Sequence, residues 1–377
     1  MQYRQFPNIH KDISILGFGC MRLPQHSDDP KDIDIPRSSA MVRKAINAGV
    51  NYIDTAWGYH GEQSEPFLAE ALSEGYRDKV YLASKLPSWL IETREDMNRY
   101  LDAQLEKLNT DHIDFYMLHA LDRGRWDTYC KLDVFSYLDA IKASGKVSHV
   151  GFSFHDDLQI FKEIIDAYPW DFCQIQYNLL DTEFQAGAEG LSYAYDRGIG
   201  IIVMEPLRGG SLASRIPREV QEIWDSTPVK RTPAQWALRW LWNDPRITLV
   251  LCGMSTDEQA DQNIATASAS QANSLTQEEL QAISRVRSVY HRKIQVPCTG
   301  CNYCMPCPHG VEIPGSFAMY NDAHMFDEVD ENRKKYLQML SGREASRCTA
   351  CGTCEPLCPQ GIEIIASLKQ VASLFES

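Results

Sequence analysis

Eight of the twelve cysteines lie between residues 298 and 358, in two matched runs. One reads Cys298-x2-Cys301-x2-Cys304-x2-Cys307-Pro308 and the other Cys348-x2-Cys351-x2-Cys354-x3-Cys358-Pro359. Three thiolates at C-x2-C-x2-C spacing wrap one face of an iron–sulfur cube, and a fourth followed by Pro reaches a second cube. That pattern assigns Cys298, Cys301, Cys304 and Cys358 to one [4Fe-4S] cluster and Cys348, Cys351, Cys354 and Cys307 to another. The first run is one residue short between Cys304 and Cys307, which sets Cys307 apart from the usual spacing. Paired C-x2-C motifs also build tetrahedral zinc sites, but zinc needs neither the third Cys nor the Cys-Pro ending.

A second chemical set sits where candidate strands end: Asp54, Tyr59, Lys85 and His119. Each alone has an ordinary structural reading, as a turn cap, a surface ammonium or a satisfied core histidine. Together they suit reduction of a carbonyl. Hydride addition leaves an alkoxide, so an acid must deliver a proton as charge develops. In this scheme Tyr59 is the acid and the Lys85 ammonium lowers its pKa. Asp54 keeps Lys85 charged and in place. His119 orients the carbonyl oxygen by a hydrogen bond.

The elements that must position these residues alternate. Strand-like runs occur at Ile15–Met21, Val50–Asp54, Val80–Ser84, Ile113–His119, Val147–Ser153, Phe172–Tyr177, Ile199–Met204 and Ile247–Cys252. Several are almost continuously apolar, as parallel strands buried on both faces are. Helices lie between them: one opens at Ser64-Glu65-Pro66, one is capped by Thr93, and one starts at Thr232-Pro233 with Trp236, Ala237, Trp240 and Leu241 facing inward. Eight β/α units in series predict an α/β fold, a closed (β/α)8 TIM barrel. The first turn, Gly17-Phe18-Gly19-Cys20-Met21-Arg22, lacks the third glycine of a dinucleotide fingerprint on an open sheet. Residues around Pro7-Asn8 predict a hairpin plugging the bottom of the barrel. The expected division is a barrel over 1–292, including an outer helix from Gln277 to His291, and an α-rich two-cluster module over 293–377, with a helical insert near Glu331–Leu340.

A formal net charge of −14 and 44% hydrophobic residues describe a soluble acidic protein. Nucleic acid and anionic membrane surfaces are excluded as bulk partners on charge. No membrane span and no export signal is read from the chain, so a reducing cytoplasm is the expected compartment. Cys20, Cys173 and Cys252 lie in apolar runs and read as buried small hydrophobes.

Asp54-Thr-Ala-x-x-Tyr59 with Gly61 and Ser64-Glu65, the strand-end Lys85, and Leu118-His119 closely resemble the aldo-keto reductase superfamily, over about Ile13 to Ala269. The cysteine tail is similar to that of a bacterial-type subgroup with a C-terminal ferredoxin-like 4Fe-4S module. The resemblance implies a nicotinamide dinucleotide, NAD(P)(H), lying across the barrel mouth. It carries cofactor contacts onto Met21, Ser153, Gln174, Met204, Pro206, Leu207, Gly209, Gly210, Gly253, Ser255, Gln259 and Asn263. It implies small-molecule carbonyl or alcohol substrates. Trp57, Trp89 and His60 are expected to line the substrate mouth, as the walls of an aromatic pocket do.

The chain departs from the family pattern at three places. The Lys and Arg that clamp an adenosine 2′-phosphate are replaced by Gly253 and Gln259, beside Asp257 and Glu258, which leaves NAD against NADP open. Met204 stands where an aromatic stacks under nicotinamide, and Phe154 where an Asn often follows the strand-five serine. A cluster carries single electrons whereas nicotinamide exchanges a hydride, so the clusters serve structure, redox sensing or a redox partner protein. Two other readings remain: a one-electron carrier with a flavin or another cofactor in the barrel, and a redox-sensing regulatory subunit.

Overall fold

In the computed structural model, which describes residues 1–300 and 302–377, an antiparallel hairpin of β1 (Tyr3–Phe6) and β2 (Ile9–Ser14) precedes a closed barrel. The barrel strands are β3 (Leu16–Gly19), β4 (Tyr52–Asp54), β5 (Tyr81–Leu86), β6 (Ile113–Leu121), β7 (Val147–Phe154), β8 (Phe172–Gln176), β9 (Gly200–Met204) and β10 (Leu249–Gly253). All neighbours pair in parallel, and β10 closes on β3. Every residue of β3 and β4 is buried, which is why these strands read as unbroken apolar runs.

The hairpin plugs the barrel from within its own core. Phe6 packs against Phe115 and Phe172 at ring-centroid distances of 5.5 and 6.2 Å. Room for it depends on Gly200, where a Cβ would lie 1.9 Å from the Phe6 ring. Any side chain at that position must expel the plug.

Helix starts follow their caps. Thr93 and Asp96 form a reciprocal capping box on the helix Arg94–Lys107, and Thr276 with Glu279 does the same for Gln277–Lys293. Helix Pro233–Asn243 differs from expectation in one respect. Trp240 is half-buried and stacks on Tyr177 at 5.5 Å, while Trp242 is as fully buried as Trp236, and its N–H donates to the Ile15 carbonyl at 2.8 Å. The acceptor lets Trp242 take an inward place that Trp240 does not.

Packing divides the chain into two compact units. Met1–Pro206 with Ala237–Leu275 holds the hairpin and the barrel strands. Leu207–Trp236 with Thr276–Ser377 forms the other, so the helix Gln277–Lys293 groups with the cysteine-rich region. The second unit contains the expected insert as helix Val329–Met339, and also helices Ile313–Met325 and Ile364–Phe375. Val311, Phe317, Tyr336, Leu368, Val371 and Phe375 form its core. Among the described residues no helix is long and apolar enough to cross a membrane.

Candidate active site

Asp54 is the last residue of β4, and the register pairs it with Gly19 on β3 and Ala83 on β5. Lys85 lies two residues beyond Ala83. The two-residue period of a strand keeps it on the same side of the wall. The result is a wholly buried ion pair: Lys85 Nζ donates to Asp54 Oδ1 at 2.6 Å and to the Thr55 carbonyl at 2.7 Å. The same ammonium stands 4.7 Å from the centre of the Tyr59 ring. His119, near the end of β6, presents its ring edge-on to Tyr59 with centroids 6.1 Å apart. The four strand-end residues therefore converge.

Their electrostatics follow from burial and from one another. Burial alone would push Lys85 towards neutrality, but Asp54 and Tyr59 outweigh it and hold the ammonium charged. Burial raises the Asp54 carboxyl, with Lys85 opposing. Tyr59 differs from the expected direction. Lys85 does pull the phenol down, but desolvation pushes further up, so its pKa lies above the ordinary tyrosine value. His119 is held well below the ordinary histidine range, chiefly by burial and then by the Lys85 charge, so it stays neutral. Its Nδ1 is buried without a hydrogen-bond partner among the described residues.

Sequence reasoning missed the support behind Lys85. Buried Glu65 accepts from Ser84 Oγ at 2.7 Å and from Gln104 Nε2 at 2.6 Å. Gln104 also donates to the Lys85 carbonyl at 3.1 Å and accepts from the Tyr116 hydroxyl at 2.7 Å. Gln104 lies on the buried side of the Arg94–Lys107 helix, and a buried amide at an otherwise apolar helix position was the available signal.

The floor of the barrel mouth carries the next group. Ser153 on β7 is in register with Gln174 on β8. Ser153 Oγ accepts from the Ala120 N–H at 2.7 Å, which leaves its own proton to donate. Gln174 Nε2 lies 3.4 Å from Met204 Sδ, and its Oε1 is buried without a partner among the described residues. A donor beside an orphaned acceptor is the complement of a primary carboxamide. Phe154 is buried against Phe161 at 5.1 Å and belongs to the packing.

A cavity of about 600 Å³ opens beside Tyr59, and Met21, Arg22, Arg37 and Ser255 line it. Ser255 Oγ donates to the Arg22 carbonyl at 2.9 Å, and Gln259 Oε1 accepts from the Ser255 N–H at 2.8 Å. Gly253 ends β10, and its Cβ position would lie 3.3 Å from the Arg22 side chain. Asn263 is buried on the helix Asp257–Ser268. His60 also lines the cavity, but both ring nitrogens are engaged: Nε2 accepts from the Leu23 N–H at 3.1 Å and Nδ1 lies 2.8 Å from the Pro30 carbonyl. It fastens the loop after β3. Trp89 stands 5.1 Å from His119, and Trp57 is covered by Lys107. Pro206 ends the barrel unit's first segment, and Leu207, Gly209 and Gly210 open the second unit. Both glycines take left-handed backbone, with φ of 63° and 95°.

In the second unit the cysteines ring two small cavities. Cys298, Cys304 and Cys358 line one. Cys307, Cys348, Cys351 and Cys354 line the other. Cys301 lies outside the described residues. The partition is the interleaved one expected of two cubes, and the short spacing does not keep Cys307 from the second cavity. No three His, Cys, Asp or Glu side chains among the described residues converge as a single-ion site. Cys20, Cys173 and Cys252 are buried, as small hydrophobes are.

This barrel, with its converging strand-end residues and cysteine-ringed appendage, defines a class of fold and site that comparison makes specific. Residues 15–288 match the model of the Aldo/keto reductase family, and residues 297–363 that of a 4Fe-4S dicluster domain. The chain belongs to the aldo/keto reductase family and carries a C-terminal 4Fe-4S dicluster domain.

It is 28% identical over 267 residues to the uncharacterized oxidoreductase C215.11c of Schizosaccharomyces pombe, covering 68% of this chain and 82% of that one. To the L-galactose dehydrogenase of Arabidopsis thaliana it is 24% identical over 322 residues, covering 76% and 94%. The match to the uncharacterized oxidoreductase YrpG of Bacillus subtilis, 28% over 207 residues, covers 49% of this chain and 61% of that one. The fold is similar to that of the holo form of aldo-keto reductase AKR11C1 from Bacillus halodurans, with a TM-score of 0.64 and 24% identity over 76% of this chain and 96% of the other.

Proposed function

We propose that the barrel is a nicotinamide-dependent oxidoreductase that interconverts small aldehydes or ketones and their alcohols. The observation that carries this reading is the buried Lys85–Asp54 pair set 4.7 Å beneath the Tyr59 ring, with neutral His119 beside it. A bound nicotinamide would supply or accept the hydride. This chain's residues handle the proton. In reduction the Tyr59 hydroxyl protonates the carbonyl oxygen as the carbon gains hydride, and Lys85 stabilises the phenolate that remains. The raised pKa of Tyr59 keeps it protonated at neutral pH, the form that reduction requires. In the alcohol direction the phenolate takes the proton back. His119, being neutral, can donate one hydrogen bond that holds the substrate oxygen.

The Ser153 hydroxyl and the orphaned Gln174 oxygen support a carboxamide at the base of the site, with Met204 beside it. Met21, Pro206, Leu207, Gly209, Gly210, Gly253, Ser255, Gln259 and Asn263 would hold the rest of the dinucleotide. Gln259 is neutral and tied to Ser255, which favours NADH over a phosphorylated dinucleotide. One relative is named for dehydrogenation of L-galactose, so alcohol oxidation falls within the same reading. The two cysteine sets would hold two [4Fe-4S] clusters.

Titration of anaerobically purified protein with NADH and NADPH, followed by a panel of carbonyls, tests this. The expected result is saturable NADH binding and carbonyl-dependent loss of absorbance at its reduced band. Failure to bind either dinucleotide, with a yellow bound cofactor instead, contradicts it.

A further inference from the structure

The segment that follows β9 is held by the same helix that lines both cluster cavities. Helix Ile313–Met325 begins with Ile313, which lines both. Pro314 and Phe317 line the first cavity only. Further along the helix, Asp322 Oδ1 pairs with Arg208 at 3.1 Å, and Met325 Sδ lies 4.0 Å from the Arg208 guanidinium. Phe326, just past the helix, has its ring centre 5.8 Å from that guanidinium. Arg215 reaches Glu331 on the next helix at 3.9 Å. One rigid element thus touches the thiol-lined cavities at one end and Arg208 at the other.

Arg208 also sits in left-handed backbone. Its φ is 50°, followed by Gly209 at 63° and Gly210 at 95°. Glycines adopt left-handed backbone readily, but an arginine does so only when its surroundings enforce it. Asp322, Met325 and Phe326 supply that enforcement. Loss of the pair would let residues 207–211 relax.

We propose that cluster occupancy orders residues 207–214 through helix Ile313–Met325 and the Asp322–Arg208 pair, and so sets affinity for the dinucleotide. The clusters then act on hydride chemistry by holding a loop, with no electron passed between them and the nicotinamide. Arg208 is a positioning residue in this scheme. The link to affinity rests on the reading of the barrel given above; the link from cluster to segment does not.

Amide exchange of residues 207–214 in the full-length protein tests it. Asp322→Ala should speed exchange there by roughly tenfold and raise the Kd for NADH by about the same factor. Iron content, visible absorbance and kcat at saturating NADH should stay unchanged. Stripping the iron from the wild type should speed the same amides, and stripping it from Asp322→Ala should add little. If Asp322→Ala sheds its clusters, Asp322→Asn keeps the shape and removes the charge, and the same direction is expected. Wild-type exchange in the cluster-loaded variant overturns the proposal, as does an unchanged segment in iron-free wild type. Exchange needs no bound dinucleotide, so a protein that binds neither NADH nor NADPH defeats the barrel reading while exchange still judges the coupling.

Discussion

The barrel and the cysteine-rich region solve opposite problems with buried polar groups. In the barrel the buried charge is paired by protein atoms: Lys85 is matched by Asp54, braced by the Thr55 carbonyl and backed by Gln104 and Glu65. Its chemistry is stored in contacts that the fold enforces whether or not a ligand is bound. In the second unit seven described cysteines face two cavities, and the core around them is a modest set of aliphatic and aromatic side chains. A module of this size gains much of its stability from what its thiolates bind. The lesson is that one chain joins a preorganised site to a conditional one, and that the second is where its environment can act.

The largest effect that sharpens this contrast is removal of iron. Chelation under oxidising conditions should unfold much of residues 296–375, read as loss of amide protection and new protease cuts there. Protection in β3 to β10 should persist. Loss of protection in both regions together would break the distinction. A smaller effect comes from single cysteines. Cys358→Ser and Cys307→Ser each remove one ligand from a different cavity, so each should lower bound iron by about half and spare the other cluster's spectrum. Loss of the same cluster in Cys358→Ser as in Cys348→Ser would show that the interleaved assignment is wrong.

Legibility in the sequence divides along the same line. The eight strands were readable because strands buried on both faces are written as unbroken apolar runs, and Asp54, Lys85 and His119 fall at or next to their ends. The hairpin plug was readable from Pro7-Asn8. Helix Ile313–Met325 was not, because its buried side includes the polar Ser316 and Asn321, which interrupt the apolar stripe of Ile313, Phe317 and Tyr320. Gln104 and Glu65 were invisible as a network because their partners are distant in sequence. The net direction of the Tyr59 pKa was also beyond reach, since residue types show the pull of Lys85 but not the depth of burial that opposes it. His60 lines the cavity beside Tyr59, yet its ring nitrogens serve the loop after β3, a use that only the backbone geometry reveals.

The central claim is that Tyr59 moves the proton while the nicotinamide moves the hydride. Tyr59→Phe tests it most directly, with NADH affinity and single-turnover hydride transfer measured on the same iron-loaded preparation. The account predicts a Kd for NADH within about twofold of the wild type and a transfer rate at least about a hundredfold lower. A variant that binds NADH and reduces the carbonyl at the wild-type rate would contradict it.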